Sequence, residues 1–181
     1  VEHHKFHTNV KMSRSGEEDP TFLVEELGEI KENVNNINWA EQDVFMWSKK
    51  RLLELFTNFV MVHSKTMHLE IEKCLEISGK TILTNRENKI DAFCVLRLVF
   101  HWIGELRDNG KSYGAHGELK ILNLNNSKSL DEVKFEISLK GNINEYSIQF
   151  LEIFKLKKHI LKERILKFIK ELKNGANLVK E

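Results

Sequence analysis

Cysteine and proline are both scarce in this 181-residue sequence, which contains two cysteines and a single proline. Cys74 and Cys94 lie far apart, so neither a disulfide framework nor a cysteine zinc cluster is available. A reducing compartment suits such a chain, and we predict a cytosolic protein. No stretch rich in proline, glycine or serine divides the sequence, which favours one continuous folded unit.

An excess of charge of one sign and a long apolar run are also missing. The sequence has 28 lysines and arginines against 27 acids, a net charge of +1. Dedicated nucleic-acid binders carry a clear basic excess, and this chain does not. No window approaches the ~18 uninterrupted apolar residues of a membrane span. We therefore predict that the chain has neither a nucleic-acid nor a membrane partner.

The motifs by which enzymes of this size are recognised are absent as well. The sequence contains no GxGxxG, GxxxxGK[ST], GxSxG or HExxH, so we predict no enzyme, no cofactor and no catalytic residue. His3, His4 and His7 have a spacing that could hold a transition metal. They precede Met12, however, in residues 1–11, which we interpret as a disordered leader or extension. We therefore assign no metal site.

Apolar residues recur at helical spacing in two parts of the chain. The first part spans residues 41–59, and Asn38 with Glu41 is typical of a capping box at its start. The second part predicts one long helix that ends near Gly175, a residue suited to the position just after a helix. The apolar residues are Val44, Trp47, Leu52, Leu55, Phe56 and Phe59 in the first part, and Phe154, Leu161, Ile165, Phe168 and Leu172 in the second.

Between these helices the apolar period shortens to two, which indicates strands. One strand begins near Thr66, and a second covers residues 90–106 after the turn signal at residues 85–89. The dipeptide Ser78-Gly79 predicts a bulge in the first of them. These segments predict a long antiparallel hairpin.

Two further strands complete the predicted sheet. Asp108-Asn109-Gly110 is a hairpin turn signal that leads into a third strand over residues 111–121. Strict alternation over residues 133–139 predicts a fourth. The sequence therefore predicts an elongated single α+β domain with an N-terminal helix, a four-stranded antiparallel meander sheet and a long C-terminal helix.

The charges are unevenly distributed despite their near balance. Residues 17–32 hold seven acids and one lysine, whereas residues 155–173 hold eight bases and two acids. A basic helix face attracts nucleic acid or an anionic membrane by charge alone. A binding module for such anionic partners, acting through the C-terminal helix, is therefore the alternative function.

Several short blocks, taken in order, resemble one family. The chain is similar over residues 12–175 to the amino-terminal domain of the activator of heat-shock protein 90 ATPase, a co-chaperone family. Residues 176–181 are then the start of a linker or tail. The blocks that carry the resemblance are residues 16–20 (GEEDP), 24–26 (VEE), 33–36 (NVNN) before a tryptophan, 47–48 (WS), 85–89 (NRENK) and 130–133 (LDEV).

The resemblance implies a non-enzymatic activator that is monomeric on its own. In this family the domain docks on the middle segment of the dimeric chaperone and stimulates its ATPase. Arg86 and Lys89 match the outer positions of the family's Arg-Lys-x-Lys motif, which engages the catalytic loop and favours its active conformation. The resemblance thus implies that both residues bind the chaperone.

A second family segment, Asn-Asn-Trp-His-Trp, is implicated in stimulation rather than docking. Asn35, Asn36 and Trp39 match it and are implied to be partner-binding residues. Ile37 stands in place of the first tryptophan and Asn38 in place of the histidine. An aromatic contact and an imidazole of the family motif are therefore absent from this chain.

The family also presents an apolar patch from alternate residues of the second long strand. Phe93 matches one such position, whereas Asp91 occupies another and is costly to desolvate unless it is paired. Glu87 reverses the charge of the motif's middle lysine. We therefore predict stimulation that is weaker than in a relative with the full motif, or that needs a chaperone with compensating charges.

Overall fold

The computed structural model describes residues 41–86, 89–126 and 129–175, all within one unit, Ile37–Glu181. Over these ranges the chain forms six strands and three α-helices, which confirms the predicted α+β class. In chain order the elements are β1 (Glu41–Asp43), α1 (Phe45–Phe56), β2 (Phe59–His63), β3 (Met67–Arg86), β4 (Lys89–Asp108), β5 (Lys111–Asn125), a 3-10 turn (Leu130–Glu132), β6 (Lys134–Lys140), α2 (Glu145–Leu156) and α3 (Lys158–Lys173).

The six strands form one antiparallel sheet in the order β1-β3-β4-β5-β6, with β2 also paired to β3. The strands β3 to β6 are the predicted meander. The turn between β4 and β5 is also as predicted, since Asn109 and Gly110 both have positive φ, as a two-residue hairpin turn requires. The short strands β1 and β2 were not predicted, and they pair with residues 82–84 and 68–71 of β3.

The first helix is shorter than the predicted 41–59. Glu41 lies in β1, and the Asp43 Oδ1 atom accepts a hydrogen bond of 2.8 Å from the backbone N–H of Phe45. The helix therefore begins at Phe45, and the capping role predicted for Glu41 is wrong. At the other end, Asn58 has a φ of 53°, which takes the chain out of the helical path and into β2 at Phe59.

The predicted long C-terminal helix is two helices, α2 and α3, that meet at Lys157. The backbone N–H of Lys157 donates to the Ile153 carbonyl, and the N–H of Ile160 donates to the Lys157 carbonyl. The break allows the two helices to pack on different elements: α2 packs on β5 and β6, whereas α3 packs on α1 and β4. Gly175 follows α3 with a φ of 61°, as the sequence predicted. None of the helices in the described ranges is long and apolar enough to cross a lipid bilayer.

The bulge predicted at Ser78-Gly79 is wrong, because both residues pair in register with β4. The register shifts lie nearer the start of β3, at Glu72 and Leu75. Gly79 is nevertheless required by the close approach of the two strands. Its φ is 128°, and a Cβ atom added there would lie 2.1 Å from the Val95 carbonyl oxygen.

The hydrophobic core lies between the helices and one face of the sheet. Alternate residues of β4 point into it, and Trp102 is fully buried with its ring 6.0 Å from Phe150 and 5.2 Å from Phe154. Phe100 stacks at 5.1 Å on Phe56 of α1. Such alternation follows from the period of two in a strand, so the intervening residues of β4 face the opposite side. We call that opposite side the open face.

Candidate partner-binding face

The longest feature of the fold is the ribbon formed by β3 and β4, each of 20 residues. At ~3.3 Å per residue each strand extends for about 66 Å. Pairing continues to Arg86 opposite Lys89, whereas the neighbouring strand β5 pairs no further than Asn125 opposite Val95. The last residues of the ribbon, which we call the hairpin end, therefore extend past β5.

Asn126 supports the hairpin end where β5 stops. The backbone N–H of Cys94 donates to Asn126 Oδ1 at 2.7 Å, and Asn126 Nδ2 donates to the Ala92 carbonyl at 2.6 Å. The side-chain amide thus takes the place of a paired strand and satisfies two backbone groups of β4. No local sequence pattern indicates this role of Asn126, since its partners are 32 and 34 positions away along the chain.

The core side of the hairpin end rests on the end of α3. A Cβ atom added to Gly175 would lie 2.9 Å from Ile90 Cδ1, so Ile90 fits closely against this glycine. Ile90 is half-buried and packs on the hydrophobic core. The hairpin end is therefore supported by α3 as well as by Asn126.

Exposed side chains of β4 line the open face at the hairpin end. We call Lys89, Asp91, Phe93, Val95 and Arg97 the hairpin face. Phe93 is 46% exposed and Val95 is 38% exposed, so two apolar side chains lie between charged neighbours. Apolar contact area surrounded by charge is a common composition for a surface that binds another protein.

The charges of the hairpin face are poorly compensated within the described ranges. No ion pair there involves Lys89 or Asp91, and Arg97 approaches Glu76 only to 3.9 Å. Thr84 lies opposite Asp91, and its hydroxyl donates to the Asp91 carbonyl at 3.4 Å rather than to the carboxylate. Lys89 and Asp91 are therefore open to pairing with charges on another molecule.

A groove continues the hairpin face beyond Val95. It has a volume of about 390 Å³ and its walls include Leu122 and Lys134. The groove forms where β5 is irregular, because Asn123 has a φ of 56° and an extra residue faces Arg97. The groove enlarges the surface that a partner could contact.

The other end of the ribbon, near Met67 and Asp108, pairs its charges internally. Hydrogen bonds from Arg107, and then from Ser112, hold the pKa of Glu105 at about 2. Farther along the sheet, the Lys140 ammonium lowers the pKa of Glu118 below its usual range. These carboxylates already have partners within the chain.

The basic helix α3 offers fewer free cations than its composition indicates. Lys162 forms a 2.6 Å ion pair with Asp131. The Arg164 guanidinium lies 3.4 Å from the centre of the Phe59 ring and donates to the Leu55 carbonyl. These two of the six bases in α3 are thus committed to internal contacts, which weakens the case for an anionic partner at this helix.

Neither cysteine has the character of a nucleophile. Burial raises the pKa of the Cys94 thiol to about 12, and burial is also the main cause that raises the pKa of Cys74. A thiolate is the reactive form, so both groups are inert near neutral pH. Across residues 41–86, 89–126 and 129–175 there is also no group of three or more histidine, cysteine or acidic side chains placed to hold a metal ion.

The structure brings together two of the residues predicted to bind a partner. Lys89 and Phe93 share the hairpin face, four positions apart on β4. Arg86 ends β3 directly opposite Lys89 in the backbone register. The remaining predicted positions lie outside the described residues: Asn35, Asn36 and Trp39, together with the substituted positions Ile37, Asn38 and Glu87 and the side chain of Arg86.

The same fold occurs in two solved structures. The crystal structure of Aha-1 from Plasmodium falciparum is 18% identical with a TM-score of 0.58, covering 76% of this chain and 93% of that one. The solution structure of the human Aha1 N-terminal domain is 24% identical with a TM-score of 0.57, covering 75% of this chain and 96% of that one. The fold is thus that of an Aha1 N-terminal domain.

The sequence comparisons agree with the fold. The pattern of the family described as "Activator of Hsp90 ATPase, N-terminal" matches residues 41–176. The human "Activator of 90 kDa heat shock protein ATPase homolog 1" is 34% identical over 128 residues, which are 71% of this chain and 36% of that protein. The Bos taurus homolog 2 is 30% identical over 129 residues, 71% of this chain and 48% of that protein.

This chain therefore belongs to the Hsp90 ATPase activator family, in its N-terminal domain, which confirms the resemblance noted in the sequence. The chain spans between about a third and a half of the length of these curated relatives. The relatives are named for activating an ATPase, which describes regulators of another enzyme.

Proposed function

We propose that this chain is a co-chaperone module that binds the middle segment of Hsp90 and stimulates its ATPase. The observation that carries the proposal is the family match over residues 41–176, in a chain whose hairpin face is exposed and poorly compensated in charge. The module does no chemistry itself in this proposal. It acts from the cytosol, as a monomer before it binds the chaperone.

The proposed mechanism is a shift in the conformational equilibrium of the chaperone. Cations at Arg86 and Lys89, on a stiff two-stranded ribbon, pair with acceptors on the catalytic loop in its active arrangement. Contacts made only in that arrangement favour it by their differential binding free energy. A change from 1:99 to 99:1 requires ~5.5 kcal/mol, to which two charge-assisted contacts and the burial of Phe93 would each contribute part.

The departures from the family motifs set the expected strength of stimulation. Glu87 places a negative charge between the two cations, and Asp91 places another on the hairpin face. We therefore expect Glu87→Lys to raise the maximal stimulation of Hsp90, since it restores the motif's positive charge. The ATPase rate at saturating co-chaperone measures this, and unchanged stimulation would contradict the proposed role of the hairpin charge.

The direct test is the steady-state ATPase rate of Hsp90 titrated with the parent chain and with Arg86→Ala/Lys89→Ala. We expect saturable stimulation by the parent and its loss in the folded variant. Lys111→Ala is the matched control, because Lys111 is also exposed and also opens a strand after a two-residue connection, but at the far end of β4. This control should stimulate like the parent.

Other outcomes of the titration would support a different contact site or a different function. Stimulation retained in the double variant would overturn the hairpin contact. Binding without any stimulation would make the chain a docking module only. If the chain did not bind Hsp90 but bound nucleic acid in a salt-sensitive way, the alternative function at α3 would be favoured. Lys167→Ala and Lys170→Ala should then weaken the binding to nucleic acid.

A further inference from the structure

We propose that His63 and His68 form a two-histidine site for a divalent transition-metal ion of the zinc type. The two residues lie directly opposite each other on β2 and β3, and their Nδ1 atoms are 3.2 Å apart. In tetrahedral zinc with Zn–N bonds of 2.0–2.1 Å, two nitrogen ligands lie about 3.3 Å apart. A single ion can therefore bind both Nδ1 atoms at about their present separation once the two rings turn so that their lone pairs converge on it, and water would supply the remaining ligands.

The hydrogen bonds around His68 prepare its Nδ1 atom for a metal. His68 Nε2 lies 3.0 Å from Glu70 Oε2, and an ionised carboxylate only accepts, so the ring proton of neutral His68 resides on Nε2. This leaves the lone pair on Nδ1. A carboxylate on the second nitrogen is also one of the partners that orient metal-binding histidines.

His63 can supply the second ligand without a net loss of protons. Without the metal its Nδ1–H donates to His68 Nδ1, which explains the 3.2 Å contact. When the ion binds, that proton leaves Nδ1 and the imidazole is protonated on Nε2 instead. His63 is exposed, so Nε2 can donate to water in the new tautomer.

The backbone holds the two histidines in place. The turn between them is fixed by Ser64, whose Oγ atom accepts from the backbone N–H of Met67 at 3.0 Å and whose own N–H donates to the Met67 carbonyl at 2.8 Å. The N–H of Arg107 on β4 donates to the Thr66 carbonyl at 2.8 Å. Glu105, opposite His68 on β4, is already paired with Arg107, so the negative charge beside the two histidines is that of Glu70. The site is therefore preorganised and electrostatically suited to a cation.

Calorimetry with Zn²⁺ tests the proposal on the full chain with His3, His4 and His7 changed to alanine, which removes their competing imidazoles. We expect one Zn²⁺ per chain, with saturation below about 1 mM. His63→Gln should abolish this binding, and Glu70→Gln should weaken it by about tenfold, as removal of an orienting carboxylate does elsewhere. His116→Gln is the matched control, an exposed histidine on the sheet, and should bind like the parent.

NMR of the imidazole nitrogens gives a second readout that does not depend on folding stability. Zn²⁺ should shift the Nδ1 signals of His63 and His68 and leave those of His159 unchanged. Absence of saturable binding in the parent, equal binding by His63→Gln, or equal loss in His116→Gln would overturn the site.

Discussion

The two ends of the β3–β4 ribbon differ in how they use their surface charges. At the far end, Glu105 is held by Arg107 and Ser112, so the charges satisfy one another. At the hairpin end, Lys89 and Asp91 have no ion-pair partner in the described parts of the chain, and Phe93 is half-exposed between them and Val95. One continuous ribbon thus combines an end whose charges pair internally with an end whose charges are open to a partner.

The largest expected effect is the difference in stability loss between a buried and an exposed phenylalanine of β4. Phe100→Ala should lower the free energy of unfolding by about 3–5 kcal/mol, because the side chain is fully buried and stacks on Phe56. Phe93→Ala should leave stability nearly unchanged but weaken Hsp90 binding by about 2 kcal/mol if Phe93 is a central contact. Urea unfolding and a binding titration measure the two quantities. Equal stability loss in both variants would contradict the assignment of Phe93 to the open face.

The next effect concerns the support of the hairpin end. Asn126→Ala leaves the buried N–H of Cys94 and the carbonyl of Ala92 without their partner, and should cost about 1–3 kcal/mol of stability. Asn126→Asp is the matched variant, since it keeps the oxygen that accepts from Cys94 and loses the donor to Ala92. In urea unfolding, Asn126→Asp should lower the free energy of unfolding by less than Asn126→Ala does. The reverse order would show that the lost donor, together with the carboxylate oxygen that would then face the Ala92 carbonyl, costs more than the retained acceptor contributes.

The smallest expected effect is the pH dependence of stability that arises from the Glu105–Arg107 ion pair at the far end. The folded pKa of Glu105, about 2, lies below the ~4.3 of an unfolded glutamate. The ion pair with Arg107 therefore adds stability above pH ~4.3, and this contribution is lost as the pH falls toward 2. Because the pair is exposed, Arg107→Ala should change overall stability only slightly.

Carbon NMR of the Glu105 carboxyl follows that titration directly. The parent should titrate near pH 2 and Arg107→Ala should titrate closer to the ordinary value for glutamate. A titration unchanged by the substitution would mean that Arg107 is not what lowers this pKa.

The elements predicted correctly from sequence are those with a long local pattern. The alternation along β3 to β6 and the Asn109-Gly110 turn are visible within short windows, so the meander followed from them. The strand β1 has three residues, too few to show a period, so the sequence places its residues at the start of the predicted helix. The break at Lys157 lies inside a continuous apolar pattern, because it is tertiary packing rather than local preference that divides α2 from α3.

The candidate site was predictable in part for the same reason. Lys89 and Phe93 came from a family motif, and their shared face follows from strand alternation. The role of Asn126 could not be predicted, since it depends on β5 ending beside a residue 32 positions away. The pairing of His63 with His68 required the strand β2, which the sequence did not reveal.

We propose that the hairpin end, and not the far end, contacts the chaperone. The most direct test is NMR of the isotope-labelled chain, recorded with and without the unlabelled Hsp90 middle segment. We expect signal changes concentrated at Lys89, Asp91, Phe93 and Val95, with little change at Glu105, Arg107 and Lys111. Changes confined to the far end or to α3, with none on the hairpin face, would contradict it.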